Sequence, residues 1–153
     1  MVLKKIVLFF IVLVLALMNV AHAANNNLKD FVPGSYQQIL QANANAPFMM
    51  VVWSVTCSSC LKDMALLNKL HQSKPGLKMV MLATDGKEAS SQVQAILQKS
   101  GLASVENWNY ADDNPQRLQY EIDPAWFGEL PRTYFFDKTH QREGVSEIGR
   151  AHV

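Results

Sequence analysis

The only two cysteines of this sequence lie together, in Cys57-Ser58-Ser59-Cys60. Neither sulfur has any partner in the chain except the other. A bridge across two residues closes a very short loop, and the chain entropy it removes is worth under about 2 kcal/mol. Such a bridge is a weak staple. It is well spaced as a redox pair, because a thiolate and its neighbour can exchange one disulfide with a client protein. Two cysteines do not close a structural zinc site, which takes four ligands. His71, His140 and His152 are dispersed and read as surface residues, so no metal is expected. Leu61 follows Cys60 where covalent attachment of a c-type haem requires histidine. The expected redox group is therefore the disulfide itself, with no further cofactor. Soft thiolates do bind Cu(I), so a copper chaperone using the same pair is the rival from another functional class.

The elements that hold the pair follow from periodicity. Ser35 with Gln38 three residues later reads as a capping box, opening a helix with Tyr36, Ile39 and Leu40 on one face. Pro47 forbids its continuation. Phe48 to Val52 is a continuous apolar run typical of a strand buried on both faces. After the cysteines, Leu61, Met64, Leu67 or Leu66, and Leu70 recur at helical spacing until Pro75-Gly76. Leu77 to Ala83 is a second apolar strand. Val93, Ile96 and Leu97 mark another helix, stopped at Gly101. Trp108 to Tyr110 suggests a short strand. Asn114 or Asp113 can cap a helix with Pro115 in its first turn, running to about Tyr120. Thr133 to Phe136 and Gly144 to Ile148 read as two strands joined by a polar turn.

Alternating helices and strands closed by a hairpin indicate an α/β fold. Its central sheet is mixed, mostly parallel, with helices on both faces and an antiparallel C-terminal hairpin. In such sheets functional groups sit beyond the carboxyl ends of the strands. Cys57 lies there, at a strand-to-helix junction. A cysteine at a helix start faces unsatisfied backbone N–H groups and the positive end of the helix dipole, and both favour thiolate. Cys57 is thus the expected attacking sulfur. Cys60, one turn inside the helix, is the expected resolving one.

The first 23 residues address the compartment. Lys4 and Lys5 precede an apolar run from Ile6 to Met18, and Ala21-His22-Ala23 supplies small residues where a signal peptidase reads. Thirteen apolar residues fall short of the about 20 that span a membrane. The expectation is a signal peptide over 1–23, cleaved after Ala23 rather than kept as a membrane anchor, which is the alternative, and export to the periplasm or beyond. Ala24 to Asn27 reads as a polar leader into a single domain over 24–153. Removing the leader peptide takes away two lysines and no acid, leaving 12 basic and 13 acidic side chains. That balance argues against an electrostatic nucleic-acid binder.

Trp53 four residues before Cys57, the apolar strand ahead of it and the pair opening a helix resemble the thioredoxin superfamily. So does Leu130-Pro131-Arg132-Thr133-Tyr134-Phe135-Phe136-Asp137, which is similar to that family's cis-proline strand. The likeness spans roughly Leu28 to Gly149 and is strongest to the exported TlpA-like thiol–disulfide reductases. Asp63 matches an acidic position those proteins carry in the cysteine helix, and Tyr120-Glu121-Ile122, Gly128 and Pro131 match their approach to the cis-proline. The resemblance implies a thioredoxin-like fold, a cis peptide before Pro131 and a client chain paired to the backbone of Leu130. It further implies a reductant of disulfides in exported proteins, recharged by a membrane electron donor. Oxidases and isomerases of the same fold remain open.

The departures from the pattern matter too. Thr56 replaces a tryptophan common just before the first cysteine, and Ser59 replaces a proline. Val51 stands where thioredoxin has a buried aspartate, which leaves Asp63 either as proton acceptor for Cys60 or as a solvated first-turn acid. Asp123-Pro124-Ala125-Trp126-Phe127 is inserted relative to the family. Its aromatics either cover the core or form a client-binding lip of Trp126 and Phe127. The sequence stops at Val153, where relatives continue into a last helix.

Overall fold

The computed structural model describes residues 27–146. The expected signal peptide, most of the leader and the end of the last expected strand lie outside the described residues. The apolar runs at the centre of the sequence become the centre of the sheet. Strand β2 (Phe48–Trp53) has all six residues buried. It pairs in parallel with β3 (Lys78–Ala83), and β3 pairs in parallel with β4 (Glu106–Tyr110). The hairpin of β5 (Arg132–Phe136) and β6 (Arg142–Ser146) joins the other side of β2 antiparallel. This last strand begins at Arg142, two residues before the Gly144 start read from the sequence.

One strand escapes the sequence reading. Leu28–Phe31 forms β1 and pairs in parallel with β4, giving the order β1-β4-β3-β2-β5-β6. Only Phe31 of its four residues is fully buried, so no apolar run or alternation announces it. Lys29 and Asp30 instead meet Glu106 at 3.0 Å and Lys87 at 2.9 Å. Short length and charge are the usual protections of an edge strand.

Because side chains alternate along a strand, the sheet divides the core in two. Phe48, Met50 and Val52 of β2 and Val80 and Leu82 of β3 face one side. There they meet α1 (Ser35–Ala42) and α4 (Pro115–Ile122) through Tyr36, Ile39, Leu118 and Ile122. Met49, Val51 and Trp53 face the other side with Met79, Met81 and Ala83. They meet α2 (Ser58–Ser73) and α3 (Ser90–Lys99) through Cys60, Met64, Leu67, Val93 and Leu97. Among the described residues no helix is long and apolar enough to cross a membrane.

Two local expectations change. The cap of α1 is Gly34, at φ +87°, and Ser35 lies inside the helix. The Ser35 hydroxyl accepts the Val32 N–H at 3.0 Å, so the capping box is not formed; a turn that needs a left-handed residue takes glycine instead. Leu61, expected on the buried face of α2, is 39% exposed. The expected cap of α4 does form, with the Asn114 side chain accepting the Arg117 N–H at 3.0 Å.

The inserted segment resolves its aromatics in opposite directions. Trp126 is buried in the cluster of Phe48, Tyr134 and Phe136, and its indole N–H donates to the Glu129 carbonyl at 2.9 Å. Phe127 is 94% exposed. Trp126→Ala is accordingly expected to cost about 3–5 kcal/mol of stability, the usual range for emptying a large aromatic site, read from urea or thermal unfolding. Phe127→Ala should stay within about 0.5 kcal/mol of the parent chain.

Candidate active site

The chain passes from β2 to α2 in four residues, and the cysteine pair sits at that passage. Cys57 is the N-cap of α2, with extended backbone (φ −85°, ψ 101°). Its carbonyl accepts the Leu61 N–H at 3.1 Å and its sulfur accepts the Cys60 N–H at 3.1 Å. The sulfur therefore occupies the place where a capping oxygen meets the free N–H groups of a first turn. Cys57 and Cys60 are joined as a disulfide, with Cα atoms 5.2 Å apart. Cys57 is partly exposed, whereas Cys60 is 2% exposed among core residues. This asymmetry suits one attacking and one shielded sulfur.

Pro131 lies opposite the pair. Val52 of β2 pairs with Arg132, so β5 begins beside the end of β2 that leads to the cysteines. The Leu130–Pro131 peptide is cis. A small void of about 10 Å³ is lined by Val51, Trp53, Cys60, Asp63, Met64 and Pro131, among others. Cys60, Asp63 and Pro131 thus converge on one point, and Leu130 packs partly buried against both core clusters. Trp126 does not join them. Its side chain belongs to the core on the sheet face opposite Cys60, which corrects the expectation that it lines the rim; a buried indole has no surface to offer a client. Phe127 remains available.

The approach to Pro131 is held by a polar cluster that sequence reading missed. Asp123 is 9% exposed. Its carboxylate accepts the Tyr134 hydroxyl at 3.1 Å, meets Arg142 at 3.1 Å and lies 3.6 Å from Arg132. Burial pushes the Tyr134 phenol up to about 12, against the pull of the Arg132 guanidinium, so it stays a donor at neutral pH. Arg132 also reaches Glu129 at 3.4 Å and the Ser146 hydroxyl at 3.0 Å. Arg142 donates to the Tyr36 hydroxyl at 2.9 Å and to the Ile122 carbonyl. Gly144 makes room for this. A Cβ there would stand 2.3 Å from an Arg132 nitrogen and 2.9 Å from the Tyr134 ring. The one sequence signal was an arginine directly after the cis-proline and another opening the next strand.

A second missed residue is Asp85, two positions past the end of β3. Its carboxylate accepts the Ser54 hydroxyl at 2.8 Å and the Val55 N–H at 2.9 Å. An acid just beyond the carboxyl end of a central strand is where α/β folds keep functional groups, and that position was readable.

No family model and no curated protein matches the chain. Solved structures do. A secreted disulfide oxidoreductase of Mycobacterium tuberculosis, homologous to DsbE of E. coli, superposes with a TM-score of 0.58 at 17% identity, covering 74% of this chain and 78% of its own. A thiol:disulfide interchange protein of Chlorobium tepidum gives 0.55 at 13% identity, covering 71% and 74%. A thioredoxin-related protein of Neisseria meningitidis gives 0.51 at 23% identity, covering 66% and 73%. The chain has the thioredoxin fold. The sequence expectation of a mixed sheet with helices on both faces and a terminal hairpin holds.

The cluster around Asp123 yields a test. Asp123→Ala removes the carboxylate that Arg132 and Arg142 share beside the Tyr134 ring. Breaking a buried pair by removing one partner typically costs about 3–5 kcal/mol. The arginines keep some water, with side chains 17% and 27% exposed, so a loss near 3, at the lower end of that range, is expected in urea unfolding.

Proposed function

We propose that this chain is an exported thiol–disulfide oxidoreductase that reduces disulfides in exported proteins. The observation that carries the reading is the Cys57–Cys60 disulfide, with Cys57 capping α2 at the end of β2 and Cys60 buried behind it. In the reduced protein the Cys57 thiolate attacks one sulfur of a client disulfide. A Cys57–client disulfide forms and one client thiolate leaves. Cys60 then gives up its proton and attacks the Cys57 sulfur, releasing the second client thiolate and restoring the Cys57–Cys60 bridge. Asp63, on the void beside Cys60, is the proposed acceptor of that proton. The client gains two electrons, and the chain must recover two electrons and two protons from a dithiol donor. A membrane-bound donor fits export, as does the basic, apolar, small-residue pattern ending at Ala23.

Clients are bound, in this reading, as extended chain along the backbone of Leu130, next to Pro131. Phe127, exposed and three residues before Leu130 in the chain, is the proposed aromatic contact for such a client. Aromatic side chains give large contact area at low entropy cost.

Cysteine variants test the order of attack. Cys60→Ser should accumulate mixed disulfides with client proteins, visible as shifted bands without reductant, and Cys57→Ser should not. Equal trapping by both, or insulin reduction surviving Cys57→Ser, would overturn the reading. Direction is tested by equilibrium with glutathione. A reductant should lie well below the about −120 mV of a strong dithiol oxidant and nearer the about −270 mV of thioredoxin. One tightly bound Cu(I) per chain with no turnover of insulin would favour a copper chaperone instead. Phe127→Ala should weaken client capture several-fold while leaving the potential and the melting temperature in place.

A further inference from the structure

The residues between β2 and α2 have no strand to pair with, yet their polar groups converge on one side chain. Asp85 accepts the Ser54 hydroxyl and the Val55 N–H. The Ser54 hydroxyl oxygen accepts the Thr56 N–H at 3.2 Å and lies 3.0 Å from the Thr56 hydroxyl. The Ser54 carbonyl accepts the Cys57 N–H at 3.1 Å. A carboxylate only accepts, so the Ser54 proton points to Asp85 and the Thr56 hydroxyl must donate to Ser54. Every bond in the set then has a fixed direction. Just upstream, the Trp53 carbonyl accepts the Thr84 N–H at 2.9 Å, so the base of Asp85 is itself tied to the end of β2.

We propose that Asp85, acting through Ser54, is a positioning residue of the redox site: it holds segment 54–57 so that Cys57 stays at the cap of α2. The capping position stabilises the Cys57 thiolate through the N–H groups of the first turn, and those contacts fall off within that turn. A passage that drifts loses them. Ser54 is 7% exposed, and a hydroxyl at that depth requires a partner; Asp85 supplies it. The inference rests on Cys57 being the attacking sulfur, but its test reads the thiolate directly and needs no client.

The experiment titrates the Cys57 thiolate of the reduced protein by its ultraviolet absorbance, in the parent chain, Asp85→Ala, Asp85→Asn and Ser54→Ala. Asp85→Ala should raise the Cys57 pKa, leaving about threefold less thiolate below that pKa. Ser54→Ala should move it in the same direction, and the double variant should add little, since both remove one link. Asparagine can still accept from the Val55 N–H and, with the Ser54–Thr56 hydroxyl bond reversed so that Ser54 donates to Thr56, can donate to the Ser54 oxygen, so Asp85→Asn should stay near the parent. An unchanged Cys57 pKa in folded Asp85→Ala, even with a lowered melting temperature, overturns the proposal, as the role is then only structural. A pKa that falls equally in the Ala and Asn variants also overturns it, because loss of a negative charge would be the cause. Should Asp85→Ala fail to fold, an unchanged pKa in Ser54→Ala overturns it alone. If the pKa moves as expected but Cys57→Ser still reduces insulin, the proposed order of attack fails and the positioning role stands.

Discussion

Burial of β2 on both faces is the constraint from which the rest follows. A strand whose every residue is enclosed cannot shift by one position without exchanging Phe48, Met50 and Val52 for Met49, Val51 and Trp53 between the two cores. The end of β2 is therefore a fixed point. Whatever follows it is delivered to one place above the sheet. The chain uses that place for Cys57, and α2 must begin there because its apolar positions, Cys60, Met64 and Leu67, are needed by the core beneath. The accessible sulfur and the buried one are thus set apart by the packing of a single helix.

What a central strand cannot do is order the irregular chain around its end. Loops near a site carry backbone groups that neither sheet nor helix satisfies. Here two carboxylates take them up. Asp85 gathers the donors of the passage into α2. Asp123 gathers the arginines and tyrosine that flank the entry to β5. One carboxylate serves the cysteine side of the site and the other serves the proline side. They differ in kind: Asp85 accepts from neutral groups, whereas Asp123 is paired with cations on the opposite face of the sheet.

The parts legible in the sequence are those with a local signature. Continuous apolar runs gave β2 and β3, the Asn114-Pro115 pair gave the start of α4, and the cysteine spacing gave the site. The parts that stayed hidden depend on partners far away in the chain. Strand β1 has one deeply buried residue and is recognisable only once β4 stands beside it. Ser54 and Asp85 are 31 residues apart, and Tyr36 and Arg142 are 106 apart; no periodicity links such pairs. Ser35 misled for the opposite reason, since its spacing to Gln38 is a good local signal that the left-handed Gly34 overrides.

Trp126 and Phe127 show how far a single residue of sequence can separate two roles. Their neighbours hold the loop in place from both sides. The Gln119 side chain donates to the Trp126 carbonyl at 2.7 Å, the Trp126 N–H bonds back to Asp123, and Gly128 turns the chain at φ +88°. With Trp126 anchored in the core, Phe127 has to face outward. Burying such a ring would stabilise the chain by about 1.5–3 kcal/mol, and the fold leaves that gain unused. A ring on an anchored loop has already lost most of the backbone freedom that binding would otherwise remove. The stabilisation that folding leaves unused at Phe127 is what the proposed contact with an apolar side chain of a client would draw on.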